Sequence, residues 1–191
     1  MFLKYPDGTL EVITGPMFAG KSEELIKRIK ILQIADVKTL VFKPEFDNRF
    51  SDIEIVSRNG AKVKAININN SEQILEFYEK DYKAVVIDEI HFFDENIINV
   101  INTLTSYGVR VIVSGLDMDY LKRPFPILAS LLAIADEVDK LKAVCALCKG
   151  AAGFSYRKTA NQELNFLGNK EYEARCRHCH DLGEQQKMQL G

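Results

Sequence analysis

Along the first 140 residues, short apolar runs rich in β-branched side chains alternate with stretches in which apolar residues recur every three or four positions. This alternation predicts strands separated by helices, the pattern of a parallel α/β sheet. Residues 10–14 read as a strand, and residues 22–35 then set Leu25, Ile26, Ile29, Leu32 and Ala35 on one helical face. A second strand is predicted over 37–43. Residues 44–60 are polar and poorly periodic, which predicts a long loop or an irregular hairpin. Beyond 61–66 a helix is predicted over 71–80. Residues 84–87 are apolar at every position, as in a central strand covered on both faces. Asp94 is placed to cap a helix carrying Ile97, Ile98, Ile101 and Leu104 that stops near Gly108. A strand over 109–113, a loop over 116–125, a short helix from Pro126 through Ala135 and a strand over 138–144 complete the series.

Composition narrows the class without naming a partner. The chain has 191 residues, 47% of them hydrophobic and 27% charged, with a formal charge of −2 and a pI near 6.0. Its apolar content is too high, and its net charge too small, for intrinsic disorder. One domain, or one plus a small module, is expected. The longest apolar run, 127–135 with only Ser130 interrupting it, is about half a membrane span. Residues 1–8 have the pattern of neither a signal peptide nor a transit sequence, so a cytoplasmic protein with no membrane partner is expected. Near-neutral charge argues against a protein that coats nucleic acid, and no nucleic-acid partner is expected.

Two signals carry chemistry. Gly15-Pro16-Met17-Phe18-Ala19-Gly20-Lys21-Ser22 fits G-x-x-x-x-G-K-[ST], between a predicted strand and a predicted helix. In such a loop backbone N–H groups turn inward around phosphates, the helix N-terminus adds positive dipole, Lys21 meets the β/γ oxygens and the Ser22 hydroxyl ligates magnesium. The reading is a nucleoside triphosphate site using Mg-ATP. Asp88, ending the apolar run 84–87, is placed to hold the magnesium shell. Glu89 follows where adjacent side chains diverge and is the candidate general base. The strand alone does not decide whether it takes a proton from a hydroxyl, as in a kinase, or from water, as in an ATPase. The expected fold is a P-loop, RecA-like parallel sheet with helices on both faces, over residues 1–141.

The second signal is cysteine. All four fall in two Cys-x-x-Cys pairs, Cys145/Cys148 and Cys176/Cys179, with 27 residues between the pairs. Random placement would give two such pairs in about one chain in 3,000, so the spacing is informative. In a reducing compartment it predicts metal and not disulfides. Four thiolates complete a tetrahedral zinc site with no open position for water, so a structural zinc is expected, within a module over residues 142–191. His178 and His180 are spare.

Met17 and Phe18 put apolar bulk inside the phosphate loop, and Phe92, Phe93, Leu116, Tyr120 and Phe125 follow strand ends, on the edge where α/β proteins bind ligands. Water needs no apolar slot, whereas a flat base does. Taken singly, each of these aromatics is also explained by core packing; their clustering points to a slot.

Several segments, in this order, resemble those of the type II (cellular and bacterial) thymidine kinases. They are residues 14–22, Val41-Phe42-Lys43-Pro44, Asp88-Glu89-x-x-Phe92-Phe93, Ser114-Gly115-Leu116-Asp117, Pro124-Phe125 and the cysteine pairs. The resemblance covers essentially the whole chain. It implies transfer of the ATP γ-phosphate to the 5′-hydroxyl of thymidine or deoxyuridine, with Glu89 as base. It further implies that Met17 packs near the thymine methyl, that Phe92, Leu116, Tyr120 and Phe125 line the base slot, and that Asp88, Ile90 and His91 border the ATP site. Arg49 looks like the family's loop arginine near the phosphates; a solvated loop cation is the alternative. Between the cysteine pairs the family has a lasso loop that closes over the base, here roughly residues 165–172 with Phe166, Gly168 and Tyr172, and zinc would staple that loop to the sheet. Tyr120 stands where many members carry Phe, His91 where Gln is common, and Leu167 where the first of two glycines is usual. Members resemble one another in forming homotetramers and in feedback inhibition by thymidine triphosphate.

Two readings of other classes stand beside this one: a P-loop ATPase with a zinc ribbon acting on nucleic acid, in which Glu89 activates water, and a nucleotide-sensing module without turnover. Between 142 and 180 seven basic residues meet three acidic ones, only a mild bias. Charge balance and aromatic placement count against the first. Without the resemblance, the residues reach an Mg-ATP-dependent phosphotransferase or ATPase.

Overall fold

A computed structural model describes residues 8–45, 54–57, 60–159 and 171–190. The chain runs β1 (Thr9–Thr14), α1 (Lys21–Ile34), β2 (Thr39–Pro44), β3 (Glu54–Val56), β4 (Lys62–Lys64), β5 (Ile66–Ile68), α2 (Gln73–Phe77), β6 (Ala84–Ile87), α3 (Ile97–Ser106), β7 (Arg110–Gly115), α4 (Pro126–Ile134) and β8 (Glu137–Lys140). Six of these strands form one parallel sheet in the order β5-β2-β6-β7-β1-β8. The expected α/β sheet is present, with helices on both faces.

The predicted helical stripes do the packing. On α1, Leu25, Ile26, Ile29 and Leu32 bury against one face of the sheet, together with Ile55 and Val63 of the antiparallel β3–β4 hairpin. On the other face, Ile97, Val100, Ile101 and Leu104 of α3 meet Leu128 and Leu131 of α4. β6 lies between β2 and β7 and is buried at every residue, as its unbroken apolarity predicts. One polar exception sits in this core. Glu11, 2% exposed on β1, accepts from Arg28 of α1 and Arg110 of β7, and Arg28 also pairs with Asp139 of β8.

Beyond the sheet come β9 (Ala143–Val144), β10 (Ala151–Ala152), β11 (Phe154–Arg157), β12 (Tyr172–Arg175) and α5 (Arg177–Leu190), with β9–β10 and β11–β12 paired antiparallel. The predicted strand 138–144 is thus two strands. Leu141 N–H donates to Thr14 O at 2.8 Å, and a Cβ on Gly15 would lie 2.5 Å from Leu141 O, so the chain stays beside β1 until the phosphate loop begins and then leaves for the cysteine segment. The predicted helix 71–80 shrinks to Gln73–Phe77. Only Ile74 of it is buried, and Tyr78 turns extended to pack on the core. Asp94 caps two residues early: α3 has Asn96 at its N-cap, while the Asp94 carboxylate accepts from Asn96 N–H and from the Ser71 N–H and hydroxyl, at 3.1, 2.9 and 2.7 Å. Helix α5 and the β11–β12 hairpin were not anticipated. Among the described residues, no helix is long and apolar enough to cross a membrane.

Candidate active site

Because β1, β6 and β7 run parallel, with β7 between the other two, their C-terminal ends bring residues 15–22, 88–93 and 115–117 to one edge. The first segment is a loop under backbone strain. Gly15 has φ 142°, which only glycine adopts readily, and the loop's Phe18 sits at φ 72°, costly for a side chain of that size. Gly20, at φ 84°, opens α1, whose first N–H groups end the loop. Lys21 folds back, donating to Gly15 O at 3.3 Å and Pro16 O at 3.0 Å. Ser22 follows it in the first turn of α1. A glycine-bounded loop that runs into a helix N-terminus beside a lysine ammonium suits phosphate. The Ser22 hydroxyl and Asp88 carboxylate are hard oxygen donors of the kind magnesium takes.

At the end of β6, Asp88 is buried and its Oδ1 accepts from Ser114 Oγ of β7 and from Glu89 N–H at 3.0 Å. Glu89 has φ 50°, a left-handed conformation that opens the short 3-10 turn Ile90–Phe92. The two adjacent carboxylates therefore have different neighbours. Glu89 Oε2 is 3.6 Å from His91 Nδ1. The His91 ring packs on Phe92 (centroids 4.1 Å) and Phe125 (4.8 Å), and its Nδ1 accepts the Leu116 N–H at 3.2 Å. Phe93, by contrast, is 8% exposed and belongs to the sheet core.

The loop 116–125 is laced by its own hydrogen bonds. Asp119 Oδ1 accepts from Leu121 N–H and Arg123 N–H, both at 2.8 Å, and Phe125 N–H donates to Asp117 O at 3.0 Å. Three contacts then tie it to the cysteine segment. Lys122 pairs with Asp181, His180 Nε2 donates to Tyr120 O at 2.9 Å, and the Arg157 guanidinium lies 3.8 Å over the Tyr120 ring. Arg157 is fully buried and also donates to Tyr172 OH at 2.9 Å. Burial raises the Tyr172 pKa against the opposing pull of Arg157, so the phenol stays protonated. Burial likewise lowers the His180 pKa and keeps that ring neutral.

The phosphate loop touches the same segment. Met17 N–H donates to Ser155 Oγ at 2.9 Å, and Phe18 and Ala19 pack on the small core of Ala143, Cys145, Ala152, Ala174 and Cys179. Ser155 and Arg157, two apart on β11, share one strand face, Ser155 meeting Met17 and Arg157 meeting Tyr120. They carry no motif and were missed; the only sequence signal was a polar pair two apart in a short run with Phe154 and Tyr156.

The four cysteine sulfurs lie within 4.8 Å of one another. Cys148 Sγ is 3.7 Å from Cys176 Sγ, close to the roughly 3.8 Å edge of a tetrahedron with metal–sulfur bonds near 2.3 Å, so the set fits a metal ion. Burial opposes ionisation of Cys145, but N–H donors from Cys148, Cys176 and Leu147 outweigh it and bring its pKa to about 6. Hydrogen bonding to Cys176 pushes the Cys179 thiol up to about 12. All four thiols are free of disulfides.

The fold thus gathers Gly15–Ser22, Asp88–Phe92, Leu116, Tyr120, Phe125 and Tyr172 around one edge, with the cysteines behind Phe18. Arg49, Phe166 and Gly168 lie outside the described residues. Against known proteins, the thymidine kinase family profile matches residues 8–180. A thymidine kinase of Mycoplasma mobile is 56% identical over 191 residues, covering 100% of this chain and 96% of that protein. One from Mesomycoplasma hyopneumoniae is 53% identical, covering 95% of this chain and 100% of its own length. One from Metamycoplasma arthritidis is 52% identical, covering 99% and 98%.

Proposed function

The chain belongs to the thymidine kinase family and is a kinase, and on that premise we propose that it transfers the γ-phosphate of Mg-ATP to the 5′-hydroxyl of thymidine or deoxyuridine. What supports an alcohol acceptor over water is the parting of the two adjacent carboxylates. Asp88 bonds towards Ser114, while Glu89 lies beside an imidazole that packs on Phe92 and Phe125. A base next to aromatic faces suits a nucleoside.

In this reading the N–H groups of residues 18–20 and the start of α1 hold the phosphates, the Met17 N–H being given to Ser155. Lys21 shifts from its carbonyl partners to the β/γ oxygens. Ser22 and Asp88 hold magnesium, which neutralises charge on the transferred group. The backbone of Asp88, Ile90 and His91 borders the ATP site, and Arg49 is assigned to the phosphates by resemblance. Glu89 takes the 5′-hydroxyl proton as that oxygen forms its bond to the γ-phosphorus and ADP leaves. Met17, Phe92, Leu116, Tyr120, Phe125 and Tyr172 enclose the base, closed over by the segment with Phe166 and Gly168.

Cys145, Cys148, Cys176 and Cys179 hold zinc, which cross-links the module from residue 142 onward and takes no part in the chemistry. Four free thiols suit a reducing cytoplasm. Assembly as a homotetramer and feedback by thymidine triphosphate follow from the family and complete the proposal. Glu89→Gln tests it. Steady-state kinetics should show kcat lowered by about 10²–10⁴-fold with both KM values within about threefold; a kcat within fivefold of wild type contradicts the assignment.

A further inference from the structure

His91 follows the two acidic residues after β6, and its side chain packs among residues of the proposed base slot. The side chain is only 1% exposed, so it cannot touch a ligand without leaving its pocket. Its ring is wedged between Phe92 and Phe125, and its Nδ1 is occupied by the Leu116 N–H. All three neighbours belong to the proposed base slot. We propose that His91 is a positioning residue for the nucleoside, an acceptor-bearing spacer that sets Phe92, Leu116 and Phe125 in register. This rests on the kinase reading and adds a role that no residue motif assigns.

The chemistry of the spacer is specific. A backbone N–H can only donate, so Nδ1 acts as the acceptor in this bond, an assignment that follows from the partner. Nδ1 therefore offers no proton to Glu89 Oε2, 3.6 Å away, and the carboxylate is not drawn into an ion pair with its neighbour. The Leu116 amide sits where β7 ends, and its direction is fixed by this bond. Gly115 makes the approach feasible: a Cβ there would lie 3.1 Å from His91 Nδ1 and 2.8 Å from Ile90 Cγ2. An aliphatic side chain at 91 would fill the pocket but strand the amide. Glutamine restores an acceptor oxygen.

The test compares wild type, His91→Leu, His91→Gln and Gly115→Ala in the full chain. KM values are measured separately for thymidine and for ATP, and calorimetric binding of each is measured without turnover. Wild type must first form thymidine monophosphate; if it does not, the kinase reading fails and not this inference. The expected result is a thymidine KM and Kd raised about tenfold in His91→Leu, with ATP values within twofold and glutamine within about threefold of wild type. Gly115→Ala, whose Cβ would push on Ile90 and crowd the unaltered ring beside it, should repeat the thymidine-selective loss. Retained ATP binding shows that each variant is folded, and if His91→Leu does not fold, the Gly115→Ala and His91→Gln values decide. The inference is overturned if ATP affinity falls while thymidine affinity holds, or if glutamine is as impaired as leucine. It is also overturned if thymidine binding is unchanged in Gly115→Ala.

Discussion

Arg157 carries a full charge with no exposed surface, between the rings of Tyr120 and Tyr172. A planar guanidinium can stack on one ring while donating to the other's hydroxyl; a lysine ammonium cannot do both. Arg157→Lys should therefore loosen the two tyrosines. Steady-state kinetics should show a thymidine KM raised about tenfold, with the ATP KM unchanged. A loss shared equally by both substrates would contradict this role. At this scale the sequence was most legible where chemistry comes with punctuation. The phosphate loop has its glycines, and Asp88–Glu89 interrupts an apolar run. Ser155 and Arg157 have no such frame. Their role depends on β11 folding back against the phosphate loop and the 116–125 loop, a contact between residues far apart in sequence.

Among elements, the ones that bury a full stripe were the ones the periodicity found: α1, α3, β1, β6 and β7. Polar contacts that tie elements together were less legible. Asp94 is the clearest. Burial opposes its ionisation, but the Ser71 hydroxyl and N–H and the Asn96 N–H outweigh it and hold its pKa below the usual carboxylate value. A carboxylate depressed on folding adds stability above its unfolded pKa, near 4, and that stability is lost as pH falls through the lower folded value. Asp94→Ala should lower stability at pH 7 by about 1 kcal/mol, the usual cost of such a cap. Thermal melts of wild type and variant should begin to converge as pH falls below about 4 and meet only below the lower folded value. The second contact is Glu11, which joins β1 to α1 and β7 through Arg28 and Arg110. Glu11→Ala removes the acceptor that Arg28 and Arg110 share, though Arg28 keeps Asp139 and Glu24, and should cost roughly 2 kcal/mol in urea unfolding. Hydropathy alone reads Glu11 as an interruption in a strand. Only the fold shows it as the tie between three elements.

The molecule as a whole is a sheet edge roofed by a small metal-binding segment. That segment's core is mainly alanine and cysteine, too little apolar surface to hold its shape unaided. In the proposed function, zinc held by the four cysteines supplies what the core lacks, and its removal by a chelator should lower Tm by roughly 10 °C and abolish turnover, both restored by added zinc. Unchanged melting would make the cysteines dispensable. The phosphate loop leans on this roof through Met17 and Phe18, and the 116–125 loop through Tyr120 and Lys122. The two loops of the proposed site are thus braced by one module. The central claim is that the acceptor is a nucleoside hydroxyl. Its most direct test is chromatographic analysis of products after incubating the protein with Mg-ATP and each deoxynucleoside in turn. The account predicts thymidine monophosphate in equal amount to ADP, and no ADP above background without a nucleoside. ADP released equally with and without nucleoside would mean that water is the acceptor, and would contradict the account.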